Sequence, residues 1–198
     1  MKKVGLVLLS LGLSFGSMAQ KKKLGIFVGK RQVGVLDVNK SVEGDAIVYH
    51  ANSKVDVKVG FKVNVDYSMN CKYEEGTLKQ SNVRVVRGGK LKTDTRVKRA
   101  PNSKGYLVMN NKEGIWSEKD KVVYSGAELY YSEPNHVDFV FSELTGKFNP
   151  VKKVGAKTYE LTDLKNNRKS VYTYNDKGEV EEVVIHESLV KFTYRPID

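Results

Sequence analysis

Val55-Asp56-Val57-Lys58-Val59-Gly60-Phe61-Lys62-Val63-Asn64-Val65-Asp66-Tyr67-Ser68-Met69-Asn70-Cys71-Lys72-Tyr73 carries an apolar side chain at every odd position and at no even one. A period of two over this length means extended chain with one face in a core and the other in water, the pattern of antiparallel sheet. A single strand of that length would run roughly 60 Å, far beyond the width of a domain this small. The stretch therefore predicts a sharp bend or two strands, with Gly60 as the breaking point. Asn52-Ser53, after Ile47 to Tyr49, offers a second place to break.

Outward from that stretch the same grammar repeats. Ser81 to Arg87 and Lys90 to Lys98 flank Gly88-Gly89, the signature of a tight hairpin. Leu24 to Val28, Gln32 to Val38, Tyr106 to Met109, Ser170 to Tyr174, Glu179 to His186 and Leu189 to Tyr194 read as further strands between turn residues. About ten strands are expected in one meander, with no linker to divide it. Ser125-Gly126-Ala127-Glu128 has the form of a capping box and Pro134 would end a short helix. Val137, Val140, Phe141 and Leu144 fit a helical face, whereas Val137, Phe139 and Phe141 fit a strand. The expected fold is mainly β: a single antiparallel meander curled into an open barrel or half-barrel, with a short helical insert around 125–146.

Composition sets the outer limits. The 198 residues are 40% hydrophobic and 29% charged, with one Cys and a formal net charge of +11. That is a globular, basic chain of one-domain size. A single Cys excludes an internal disulfide, a zinc ribbon and a thioredoxin motif. Lys2 and Lys3, the apolar run Val4 to Phe15 and Ser17-Met18-Ala19 have the order of a signal peptide. Residues 1–19 are thus expected to be a leader cut before Gln20, leaving 20–198 as the β domain. The competing reading, a membrane anchor, is disfavoured because Lys21-Lys22-Lys23 ends the run early. No Cys follows the run to accept a lipid, so the expected location is the periplasm or the exterior, without lipoprotein anchoring.

Chemistry-bearing motifs are sparse. His50, His136 and His186 show no metal-ligand spacing, and there is no G-x-S-x-G, phosphate loop or H-E-x-x-H. No metal and no cofactor are expected. Glu133, His136 and Glu143 form the least implausible catalytic set. Cys71 shares parity with Met69 and Tyr73, which predicts a small buried hydrophobe rather than a nucleophile.

Charge is the second signal. Between Arg84 and Lys104, the basic residues Arg84, Arg87, Lys90, Lys92, Arg96, Lys98, Arg99 and Lys104 face one acid, Asp94. Lys92, Arg96 and Lys98 share a parity opposite to Leu91 and Val97, predicting a solvent-facing basic stripe on a hairpin. Such a stripe keeps a sheet face soluble or attracts anionic surfaces such as lipid head groups or acidic glycans. Nucleic acid is not expected as a partner, because no aromatic side chains are interleaved for stacking.

Leu129-Tyr130-Tyr131-Ser132-Glu133-Pro134, with Val140-Phe141-Ser142-Glu143 and Gly146-Lys147-Phe148, resembles an uncharacterised family of secreted Bacteroidota proteins, a domain of unknown function. Val33-Gly34 with Val38, the run from Ser53 to Tyr67, and Tyr172-Thr173-Tyr174 with Gly178 extend the resemblance over most of the chain after the leader. It implies a partly open antiparallel barrel and no activity. Together these readings favour a non-catalytic exported domain whose inner face, Val57, Val59, Phe61, Val63, Val65, Tyr67 and Met69, takes an apolar small molecule or lipid. The alternatives are an interaction module using the basic hairpin 84–104, and a hydrolase.

Overall fold

The structure, a computed structural model, describes residues 19–59, 61–101, 105–187 and 190–197, with the side chains of Val59, Phe61 and Lys62 set aside. The proposed leader up to residue 18, Gly60 and Lys104 lie outside the described residues. Eight strands build the first half: β1 (Gln20–Val28), β2 (Arg31–Glu43), β3 (Ala46–Val59), β4 (Phe61–Glu74), β5 (Thr77–Arg87), β6 (Lys90–Arg99), β7 (Tyr106–Asn110) and β8 (Gly114–Glu118). Six build the second: β9 (Phe139–Ser142), β10 (Lys147–Gly155), β11 (Thr158–Asp163), β12 (Arg168–Tyr174), β13 (Val180–His186) and β14 (Lys191–Pro196). All fourteen join one antiparallel sheet in the order β8-β7-β6-β5-β4-β3-β2-β1-β14-β13-β12-β11-β10-β9. The sheet is thus two meanders sewn together where the first strand pairs with the last.

The deciding stretch is two strands. β3 and β4 reverse about residue 60, so odd residues pair with odd: Val57 with Val63, Val55 with Val65, Ala51 with Met69 and Tyr49 with Cys71. The inner face is continuous across the hairpin for that reason, and Val55, Val57, Val63, Met69 and Cys71 are buried. β3 runs unbroken through Asn52 and Ser53. Gly88 and Gly89 both have positive φ, as a two-residue hairpin turn requires.

The expected short helical insert is present as a 3₁₀ turn rather than an α-helix. Only one 3₁₀ turn forms, Glu128–Tyr130, and the ambiguous residues beyond it become β9 and the turn into β10. The capping-box geometry survives in part: the Ser125 N–H donates to Glu128 Oε2 at 3.1 Å. The Ser125 hydroxyl is drawn elsewhere, to Glu143, so nothing extends the turn into a helix. Residues 119–138 form a strap that leaves β8, passes inside the curl and returns to β9. Val122, Ser125, Ala127 and Leu129 on this strap are fully buried. It is held along its length by hydrogen bonds from Leu78 N–H to Val122 O (3.0 Å), Gly126 N–H to Phe141 O (2.9 Å) and the Tyr174 hydroxyl to Leu129 O (2.9 Å).

β8 and β9 are the two outermost strands; the sheet does not close by pairing them, and the strap lies along the outer side of β9, where the Phe141 N–H donates to Tyr124 O at 3.1 Å. Side chains from the β9–β10 turn fill the seam instead. The Thr95 hydroxyl donates to Leu144 O at 2.7 Å, Lys147 reaches Glu113 at 2.6 Å and lies over the Trp116 ring. Gly146, at φ +69°, sits so close to Val108 and Trp116 that a side chain there would strike Val108. The seam covers edges that would otherwise offer unpaired backbone.

Candidate binding cavity

In a sheet of this order every odd-to-even turn falls at one end of the curl, while the strap enters from the other. Toward the turn end lies a half-open cavity of about 670 Å³, within the range of small-molecule sites. Its apolar wall is made by Leu36, Val55, Val63, Val65, Tyr67, Val85, Val190, Phe192 and Tyr194 from the sheet. Tyr130 from the strap and Leu144 from the β9–β10 turn complete it. The strap therefore occupies only part of the interior. Burial pushes the phenols of Tyr67 and Tyr130 well above their ordinary range and that of Tyr194 up to about 12, so all three stay neutral.

Arg87, Lys92, Lys112 and Arg168 also line the cavity, with Glu187 as its one carboxylate among the described residues. The backbone explains how two of them arrive: Arg87 shares the inward parity of Val83 and Val85 on β5, and Lys92 sits at a bulge on β6. A bulge between Val85 and Val86 makes Lys92 the unpaired residue, with Val85 opposite Thr93 and Val86 opposite Leu91. An extra residue re-aims the chain on either side of it. The expected single stripe is therefore corrected: Lys92 and Arg87 border the cavity, whereas Arg96 and Lys98 lie with Gln80 and Asn82 along a different, outward groove. Arg84 borders a third groove. Lys90 is exposed at the turn, Arg96 pairs with Asp94 at 3.1 Å, and Arg99 donates to the Thr77 hydroxyl at 3.3 Å.

Of the residues read from sequence as a ligand face, Val63, Val65 and Tyr67 line the cavity. Val57 and Met69 are buried in the packed core instead. The side chains of Val59 and Phe61 lie outside the described residues. Sequence reasoning missed Val85, Tyr130, Leu144, Phe192 and Tyr194. Phe192 and Tyr194 alternate within β14, a visible signal, but their position across the curl from β4 has none.

The proposed catalytic set does not assemble. Glu143 is 3% exposed, and its Oε1 accepts from the Ser125 hydroxyl at 2.5 Å, the Ala127 N–H at 3.1 Å and the Cys71 thiol at 3.5 Å. The Tyr73 hydroxyl donates to Ser125 Oγ at 2.6 Å. Glu133 belongs elsewhere, accepting from the Tyr159 hydroxyl at 2.6 Å with Lys157 at 3.9 Å. His136 is exposed at φ +59°. Burial raises the Cys71 thiol well above its ordinary value, with the Glu143 charge adding to the effect, so the thiol stays protonated and acts as a donor. Burial likewise raises Glu143, against the opposing Ser125 hydroxyl bond. The chemistry of this cluster is to tie strap, β4 and the β9–β10 turn together. No group of three or more His, Cys, Asp or Glu able to hold a metal occurs among the described residues.

No curated protein matches the chain in sequence. Among solved structures, the crystal structure of a β-barrel-like protein of domain of unknown function DUF1849 from Brucella abortus superposes with a TM-score of 0.54. The alignment covers 90% of this chain and 95% of that one at 12% identity, a likeness of fold alone. Matching over residues 25–197, the chain belongs to the family described as domain of unknown function DUF6134.

Proposed function

We propose that this protein is an exported, non-catalytic binding domain that takes a single apolar chain, such as a lipid tail, into the curl of its sheet. The carrying observation is the cavity of about 670 Å³ with walls of Val, Leu, Phe and Tyr, left unfilled by the strap. Each buried methylene contributes about 0.8 kcal/mol, so a twelve-carbon tail supplies about 10 kcal/mol. Against an association cost of at least about 4 kcal/mol, this sets the tightest affinity on the order of tens of micromolar.

The test is native mass spectrometry of the protein purified from an envelope extract, together with titration by dodecyl compounds. Val85→Trp, which fills the cavity from its wall without adding charge, should abolish uptake while leaving the circular dichroism spectrum unchanged. A protein that carries no adduct and binds no dodecyl compound would refute the reading.

A further inference from the structure

We propose that the cavity selects amphiphiles with a compact anionic head, a carboxylate or a phosphate monoester, held at its mouth by Arg87, Lys92 and Lys112. This rests on the reading of the cavity as an apolar-chain site and adds the chemistry of the ligand's polar end.

Three observations converge. First, these cations have no carboxylate partner among the described residues. Several basic side chains elsewhere find carboxylates, Lys72 and Lys79 sharing Glu74, Lys147 and Lys165 sharing Glu113 and Lys169 taking Glu160, while others such as Lys90 and Lys98 stand exposed in solvent. At the cavity the one carboxylate, Glu187, is already bound by Arg168 at 2.5 Å. Among the described residues, Arg87, Lys92 and Lys112 make no ion pair. Second, they come from separate places in the chain, the two sides of the β5–β6 hairpin and the turn after β7, and they border one opening. Bringing three like charges together works against folding unless a counter-charge is supplied. Third, Lys92 reaches this opening through a bulge, the backbone device that redirects a side chain at a site.

The same lining argues against other heads. A quaternary ammonium head would need a free carboxylate or an open aromatic face, and it would meet net positive charge instead. A sugar head would leave the cations unsatisfied. A carboxylate or phosphate accepts several charge-assisted hydrogen bonds at once, while its tail occupies the Val63, Val65 and Val85 wall.

The experiment is isothermal titration calorimetry of the chain from Gln20 onward, with ligands of one tail length kept below their micelle-forming concentrations. The ligands are dodecanoate, dodecyl phosphate, dodecyl maltoside and dodecyltrimethylammonium, with inorganic phosphate and acetate as free-anion arms. Dodecanoate and dodecyl phosphate should bind at least tenfold tighter than dodecyl maltoside. That advantage should shrink as salt rises, because exposed charges are screened beyond about 10 Å at 0.1 M. In the triple variant R87Q/K92Q/K112Q the preference should vanish while dodecyl maltoside binds as before, which also shows that the cavity remains folded. Equal binding of anionic and neutral heads, or a preference that persists in the triple variant, would overturn the headgroup assignment and leave the apolar-chain reading standing. Inorganic phosphate binding as tightly as dodecyl phosphate would overturn it in favour of a free-anion site. No binding by any dodecyl compound would sink both.

Discussion

Replacing Glu128 by Gln should make the protein more stable at alkaline pH and leave it unchanged in acid. Glu128 opens the 3₁₀ turn of the strap, where its Oε2 accepts the Ser125 N–H at 3.1 Å. Burial raises its carboxyl to about 7; the Ser125 hydrogen bond opposes this and the nearby Glu143 charge adds to it. The folded protein therefore holds a proton on Glu128 that the unfolded chain releases near 4.5. Between those values the native state binds more protons, so stability falls as pH rises. The contribution is fully present below pH 4.5 and is lost as pH passes through 7. At about 1.36 kcal/mol per pH unit, the interval from 4.5 to about 7 amounts to about 3 kcal/mol. Gln keeps a carbonyl for the Ser125 N–H and never ionises, so the variant should gain on the parent by about 2 to 3 kcal/mol at pH 8 and by almost nothing at pH 4.5. Urea unfolding of both proteins at half-unit steps from pH 4.5 to 8 measures the difference. The slope left in the variant reports Glu143, which burial shifts in the same direction. A difference between the two proteins that fails to grow with pH would refute the account of a desolvated carboxyl on the strap.

Three further outcomes are expected. Gly146→Ala should lower stability by about 2 kcal/mol, because the residue lies at φ +69° and an added methyl would strike Val108 at the seam; thermal melts showing no loss would mean that the seam is loose. Cys71, 2% exposed and donating to Glu143, should resist thiol reagents in the native state and react at once in urea; Cys71→Ala should cost about 1 to 2 kcal/mol. Intact mass of protein recovered from the cell envelope should begin at Gln20, and a species that retains Met1 would refute export with cleavage after Ala19.

The sequence alone determined the local geometry of the strands. Period two is a property of neighbouring residues, so the inward parity of Val55, Val57, Val63, Met69 and Cys71 was legible, as were the antiparallel class and the Gly88-Gly89 hairpin. The length of the long stretch forced a break within it, found between Val59 and Phe61, for an equally local reason. The strands from 139 to 163 were obscured by Pro150, which cannot donate to a ladder, and by an apolar spacing that also suits a helix. Only the tertiary structure decided which meanders join, because the pairing of β1 with β14 links residues at opposite ends of the domain. It likewise decided how far the strap fills the curl, since Tyr130 and Leu144 acquire a common cavity only when the sheet closes on them. The basic residues illustrate the division most sharply. Their number was plain in the chain, but a bulge at Lys92 brings that residue to the cavity while Arg96 and Lys98 face a different groove, and a bulge is fixed by pairing between strands rather than by any residue's own preference.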